Sequence, residues 1–73
     1  MPTHREVARR ALRAIRRHGR VARTFLAIGA AGLARAAGES LTRGDFAAFA
    51  RCAHVRRGLL SALSLSKVVQ PGN

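Results

Sequence analysis

The chain has 73 residues, of which 48% are hydrophobic, and 14 basic residues against three acids give it a formal net charge of +11. A chain of this length forms at most one domain, residues 1–73, whose apolar core supplies only about 3–5 kcal/mol of stability. The hydrophobic content separates it from charge-swollen disordered tails. The single cysteine, Cys52, excludes a disulfide framework and a zinc site built from cysteines.

The first helix has a start signal and a stop signal. Thr3 and Glu6 form a T-x-x-E capping box. A basic run, residues 16–18, is followed by Gly19, which is typical of a helix C-terminus. These signals predict a helix over residues 3–18.

Two further helices follow. The second is predicted to begin near Val21 and to end at Ala37, before Gly38. Thr42 and Asp45 form another capping box, which predicts a third helix from Arg43 to about Ser66. Because strand-like alternation never persists, the sequence predicts an all-α three-helix bundle with short connections: about 3–18, 21–37 and 43–66, with 70–73 as a terminal tail.

The first helix is strongly amphipathic. At 100° per residue its apolar positions, from Val7 to Ile15, occupy an arc of about 160°. Arginines on one face repel one another at i,i+4 spacing unless an anionic partner relieves them. We therefore interpret the opposite arc as a partner-binding basic face, made of Arg5, Arg9, Arg10, Arg13, Arg16 and Arg17.

The second helix is apolar nearly all round between Phe25 and Ala34, a run too short for the roughly 20 residues of a bilayer span. It is therefore predicted to be central in the bundle, with Gly29 and Gly32 either allowing close approach of its neighbours or leaving a slot between the helices. The third helix has a broad apolar arc, the predicted core face: Phe46, Phe49, Cys52, Ala53, Leu59, Leu60 and Leu63. Arg56 projects into this arc, so it must either find a partner or extend its charge to solvent.

The sequence predicts no catalytic residues and no metal site. His4, His18 and His54 have no metal-ligand spacing to one another or to Cys52. The chain lacks a Gly-rich phosphate loop and paired carboxylates, so we expect a protein that is not an enzyme.

Residues 7–17, VARRALRAIRR, resemble the opening helix of the LYR-motif family. Arg9 falls on the motif arginine, and Leu12-Arg13 falls on the Leu-Arg pair that follows three residues later. Arg16 and Arg17 match later basic positions, whereas Val7-Ala8 replaces the Leu-Tyr of the motif. The Arg23-Thr24-Phe25 segment and the Arg56-Arg57 pair resemble basic positions of the family's second and third helices.

This resemblance implies a small basic mitochondrial protein, on the matrix side, that acts as an accessory subunit or assembly factor of a respiratory complex. Family members typically bind an acidic acyl carrier protein, whose acyl-phosphopantetheine arm inserts among the three helices. By this resemblance the chain has no cofactor of its own, and the arm of its partner meets a seam at Phe25, Arg56 and Leu60.

Composition leaves two other readings open. A small basic nucleic-acid-binding or ribosome-associated protein would use the same arginines on phosphates, and in that case the location would be cytoplasmic. A cationic interfacial membrane anchor would use the first helix as its amphipathic element. Nucleic-acid binding lacks support from aromatic platforms, since the chain has only three Phe and neither Trp nor Tyr.

Overall fold

The computed structural model describes residues 2–68 and consists of three helices: α1 (His4–His18), α2 (Arg20–Thr42) and α3 (Phe46–Val68). The predicted all-α three-helix bundle is confirmed. The predicted tail, residues 70–73, lies outside the described residues. The bundle is elongated, with principal extents of 45 × 20 × 17 Å.

Both ends of α1 follow the sequence signals. Thr3 is the N-cap, and its hydroxyl oxygen accepts a hydrogen bond of 3.2 Å from the Glu6 backbone N–H. Gly19 ends the helix with φ of 62°, and its N–H donates to the Ile15 carbonyl at 2.7 Å. This left-handed backbone favours glycine, so the one residue between α1 and α2 reverses the chain.

The prediction that α2 ends at Gly38 is wrong, because the helix continues for one more turn to Thr42. Its end is a Schellman motif at Gly44, which has φ of 75°. The Asp45 N–H donates to the Ser40 carbonyl at 2.9 Å, and the Gly44 N–H donates to the Leu41 carbonyl at 3.0 Å. Gly38 lies inside the helix, where a glycine lowers helix stability but does not end the helix.

The predicted start of α3 at Arg43, capped by Thr42, is also wrong. The Asp45 carboxylate caps the helix instead, and its Oδ1 accepts from the Ala48 N–H at 3.1 Å. The Thr42 hydroxyl donates back to the Gly38 carbonyl at 3.0 Å and so belongs to the last turn of α2. The capping pattern therefore lies three residues later than predicted.

The first helix is shorter than the other two and covers only part of them. It has 15 residues, about 22 Å, whereas α2 and α3 have 23 residues each, about 34 Å. The start of α1 meets the middle of α3, where the His54 ring nitrogen lies 2.8 Å from the Pro2 carbonyl oxygen. The α2–α3 hairpin consequently extends beyond α1, and its connecting turn lies at the uncovered end.

The core is built from alanine rather than from large side chains. Ala8 and Ala11 of α1 pack on Ala62 of α3, which is fully buried, and leucines surround this cluster: Leu12, Leu26 and Leu59. The prediction that Phe46 and Leu60 belong to the core face is wrong, since they are 67% and 41% exposed. Small residues let the helices approach closely, which leaves the largest apolar side chains outside.

The close helix contact lies at Gly58, which is buried against α1, rather than at Gly29 or Gly32. Gly29 and Gly32 are exposed, and Gly32 has no neighbour within reach of an added Cβ, whereas a Cβ at Gly29 would lie 3.9 Å from Leu59 Cδ1. The prediction of close helix approach is therefore wrong for Gly32, and at Gly29 the neighbouring helix comes only within ordinary van der Waals distance.

Candidate docking surfaces

The predicted basic face of α1 lies on the surface of the bundle. Its six arginines are all exposed: Arg5, Arg9, Arg10, Arg13, Arg16 and Arg17. The opposite side of the helix, with Ala8, Ala11 and Ile15, is buried. The apolar side of α1 is thus used for folding, and its charged side is available to a partner.

The charges on this face are poorly balanced. Three i,i+4 arginine pairs run along it, from Arg5 to Arg9, Arg13 and Arg17, and Glu6 is the only acid of the helix. Glu6 lines a shallow depression of about 150 Å³ together with Arg9, Arg10 and Arg13. Like charges at this spacing destabilise a helix by a few tenths of a kcal/mol per pair, so an anionic partner relieves strain that the chain leaves uncompensated.

A groove between α2 and α3 brings together two of the three residues predicted for the seam. Arg56 and Leu60 line it with Phe49 and the Arg57 side chain, around a volume of about 530 Å³. The Nε atom of Arg56 donates to the Ala30 carbonyl at 3.2 Å, so this half-buried charge is anchored across the helix interface. Phe25 does not line this groove and is 69% exposed.

A second groove lies near the N-terminus of α2. It has a volume of about 470 Å³ and is lined by Arg20, Arg23, Thr24, Ala27, Leu63 and Ser64. The Arg23 Nε atom is shielded from solvent and has no hydrogen-bond partner among the described residues. An unsatisfied buried donor is costly, so this guanidinium has capacity for an acceptor brought by a ligand or partner.

The sequence did not indicate the contact between His4 and His54. Their rings meet edge to face with centroids 5.8 Å apart. Partial burial, the charge of Arg57, His54 and the charge of Arg5 together lower the pKa of His4 below 6.5. Only the fold brings these residues together, because 50 positions separate the two histidines.

The structure places Cys52 and His54 in different surroundings. Cys52 is half-buried and free, whereas the Nε2 atom of His54 is engaged by the Pro2 carbonyl oxygen. Among residues 2–68, no three side chains of His, Cys, Asp or Glu form a group that is able to hold a metal ion.

Within the described part of the chain, no helix combines the length and apolar character needed to cross a membrane. No protein-family model matches the chain, and searches of curated proteins and of solved structures also give no match. The class defined by the structure is a small all-α three-helix bundle with an alanine core and a basic outer face.

Proposed function

We propose that the chain is a non-catalytic accessory subunit or assembly factor that docks an acidic protein through the basic face of α1. The partner chemistry that fits is a strongly acidic carrier protein, such as an acyl carrier protein. The resemblance of residues 7–17 to the LYR-motif helix supports a respiratory complex in the mitochondrial matrix as the setting. In this role the chain contributes the basic face of α1 as a docking surface within a larger assembly.

The observation that carries this proposal is the exposure of all six arginines on one face of α1, whose opposite side packs into the bundle through Ala8, Ala11 and Ile15. Electrostatic complementarity of this kind steers association and fixes the orientation of a docked partner. Arginine also forms bidentate contacts with carboxylates, which gives geometric specificity beyond net charge.

The groove at Arg56 supports a second contact with the same partner. Its floor is apolar, through Phe49 and Leu60, and two guanidinium groups, Arg56 and Arg57, line it. An acyl-phosphopantetheine arm has the matching chemistry, an aliphatic chain and a phosphate. Burial of the chain would add about 0.8 kcal/mol per methylene to a marginal fold.

Calorimetric titration with a purified acidic acyl carrier protein, apo and acylated, tests this proposal. Arg9→Glu with Arg13→Glu should weaken binding at least tenfold, since both charges lie at the centre of the face. The matched control is Arg35→Glu with Arg51→Glu, which changes net charge equally at exposed positions outside α1. Equal losses in the two double variants would show attraction by net charge only and would overturn the proposal.

Native mass spectrometry of the chain from its own source distinguishes the partners. An acidic protein carrying a phosphopantetheine and an acyl chain supports the proposal. Co-purification with nucleic acid or ribosomal particles supports the nucleic-acid reading instead, and a steep fall of that affinity with salt should accompany it.

A further inference from the structure

Three large apolar side chains form a stripe on the outer side of α2. Val21, Phe25 and Ile28 are 61%, 69% and 62% exposed. Their spacing, i, i+4 and i+7, places them within an arc of about 60° on the helix, away from buried Ala22 and Ala30. No described side chain covers this stripe, although contiguous exposed apolar surface usually marks an interaction site.

Two exposed arginines of α2 lie at the ends of the stripe. Arg20 directly precedes Val21, is exposed, and lines the groove toward α3. Exposed Arg35 lies two turns beyond Ile28 on the same outward face. Between Arg20 and Arg35 the helix contains no acid. The surface therefore combines an apolar centre with a positive charge at each end.

From this arrangement we propose that the outer face of α2 docks the protein onto an anionic lipid surface. Apolar side chains at the centre enter the boundary between headgroups and acyl chains, and the bordering guanidinium groups meet lipid phosphates. A second copy of the chain is disfavoured as occupant, because each copy carries a formal charge of +11.

The structure moves the membrane contact away from the helix that the sequence favoured. The apolar side of α1 packs into the bundle through Ala8, Ala11 and Ile15, and none of its large apolar side chains is exposed. Among the residues that the structure describes, α2 alone keeps three exposed large apolar side chains on one face. The proposed surface differs from the basic face of α1, so failure of one proposal is separable from failure of the other.

Tryptophan fluorescence gives a direct test, because the chain has no Trp and no Tyr. Phe25→Trp places the only fluorophore on the stripe. Phe46→Trp is the matched control, since Phe46 is 67% exposed but lies at the start of α3, near the uncovered end of the bundle. The probes are phosphatidylcholine vesicles with and without phosphatidylglycerol, at physiological ionic strength.

We expect the emission of the Phe25→Trp variant to shift to shorter wavelength with the anionic vesicles, and its quenching by acrylamide to fall. The emission of the Phe46→Trp variant should stay unchanged, with helical circular dichroism preserved in both. An unchanged Phe25→Trp spectrum would overturn the proposal. Equal shifts in both variants would also overturn it, since they indicate adsorption without a preferred face.

A second pair of variants tests whether vesicle binding depends on the apolar stripe rather than on the net charge of the protein. Val21→Ser with Ile28→Ser, in the Phe25→Trp background, should weaken vesicle partitioning roughly tenfold or more, because two apolar side chains no longer leave water. Leu41→Ser with Phe46→Ser removes comparable exposed apolar surface at the other end and should leave partitioning unchanged. Unchanged partitioning of the stripe variant contradicts the proposal, and so does an equal loss in the two variants.

Discussion

Gly58 of α3 lies directly against the first turn of α1, so that a Cβ atom at this position would stand 2.7 Å from the His4 carbonyl oxygen and 2.7 Å from Val7 Cβ. Real Cβ atoms do not approach backbone so closely, and the carbonyl oxygen is not at the end of a flexible side chain. The two helices therefore meet here because residue 58 has no side chain.

Gly58→Ala should lower the free energy of unfolding by about 1–3 kcal/mol, because overpacking outweighs the gain in helix propensity. Urea denaturation followed by circular dichroism measures this change. Gly32→Ala is the matched control: it lies inside α2 with nothing near its added methyl, so it should raise stability by about 0.5–1 kcal/mol. Stabilisation by both substitutions would contradict the close contact.

Gly44→Ala should also destabilise the fold, because its φ of 75° costs an L-residue about 1–2 kcal/mol. Gly38→Ala, by contrast, should stabilise α2, since Gly38 is helical and has no neighbour close to an added Cβ. Thermal unfolding of the two variants compares them directly. If α2 ended at Gly38 instead, Gly38→Ala would destabilise the fold and Gly44→Ala would not.

The start of α3 gives a third prediction. Asp45→Ala should cost about 1 kcal/mol, because the Ala48 N–H loses its acceptor. Thr42→Ala should change stability by less than about 0.5 kcal/mol, as its hydroxyl only bonds back to an exposed helix carbonyl. Denaturation midpoints distinguish the two; a larger loss for Thr42→Ala would place the cap where the sequence pattern put it.

His4 makes stability depend on pH. Burial and neighbouring positive charge lower its pKa in the folded state, whereas the unfolded chain binds the proton at the ordinary value of 6.5. As pH falls below that value, the unfolded state takes up more protons than the folded state, so stability should decrease. His4→Gln should flatten this dependence in urea titrations on either side of pH 6.5, and an unchanged slope would contradict the assignment.

Short sequence patterns predict the features of α1 that depend only on neighbouring residues. The Thr3 cap, the Gly19 stop and the division of α1 into a buried and a basic side are read directly from neighbouring residues. The same rules misplaced the connection after α2, because Gly38 and Gly44 are equally plausible stops in isolation. Only the hydrogen bonds of Asp45 and Gly44 to the end of α2 decide between them.

The core was harder to predict than the helices. In α3, apolar residues occur on every side, so helical periodicity does not define a single buried face. The sequence also gives no sign that α1 covers only part of the hairpin, which is why Phe46 is exposed and Ala62 is fully buried. The stripe at Phe25 was missed for the same reason, since an all-apolar helix was expected to be enclosed.

The short α1 also has a kinetic consequence. The hairpin of α2 and α3 closes through a three-residue turn, whereas the contact of His54 with the Pro2 carbonyl spans 52 positions along the chain. Closing the longer loop costs more conformational entropy. We therefore expect the α2–α3 hairpin to form first and α1 to dock last. The helix that docks last is also expected to detach first in local unfolding. Amide hydrogens of α1 should consequently exchange faster than those in the middle of α3.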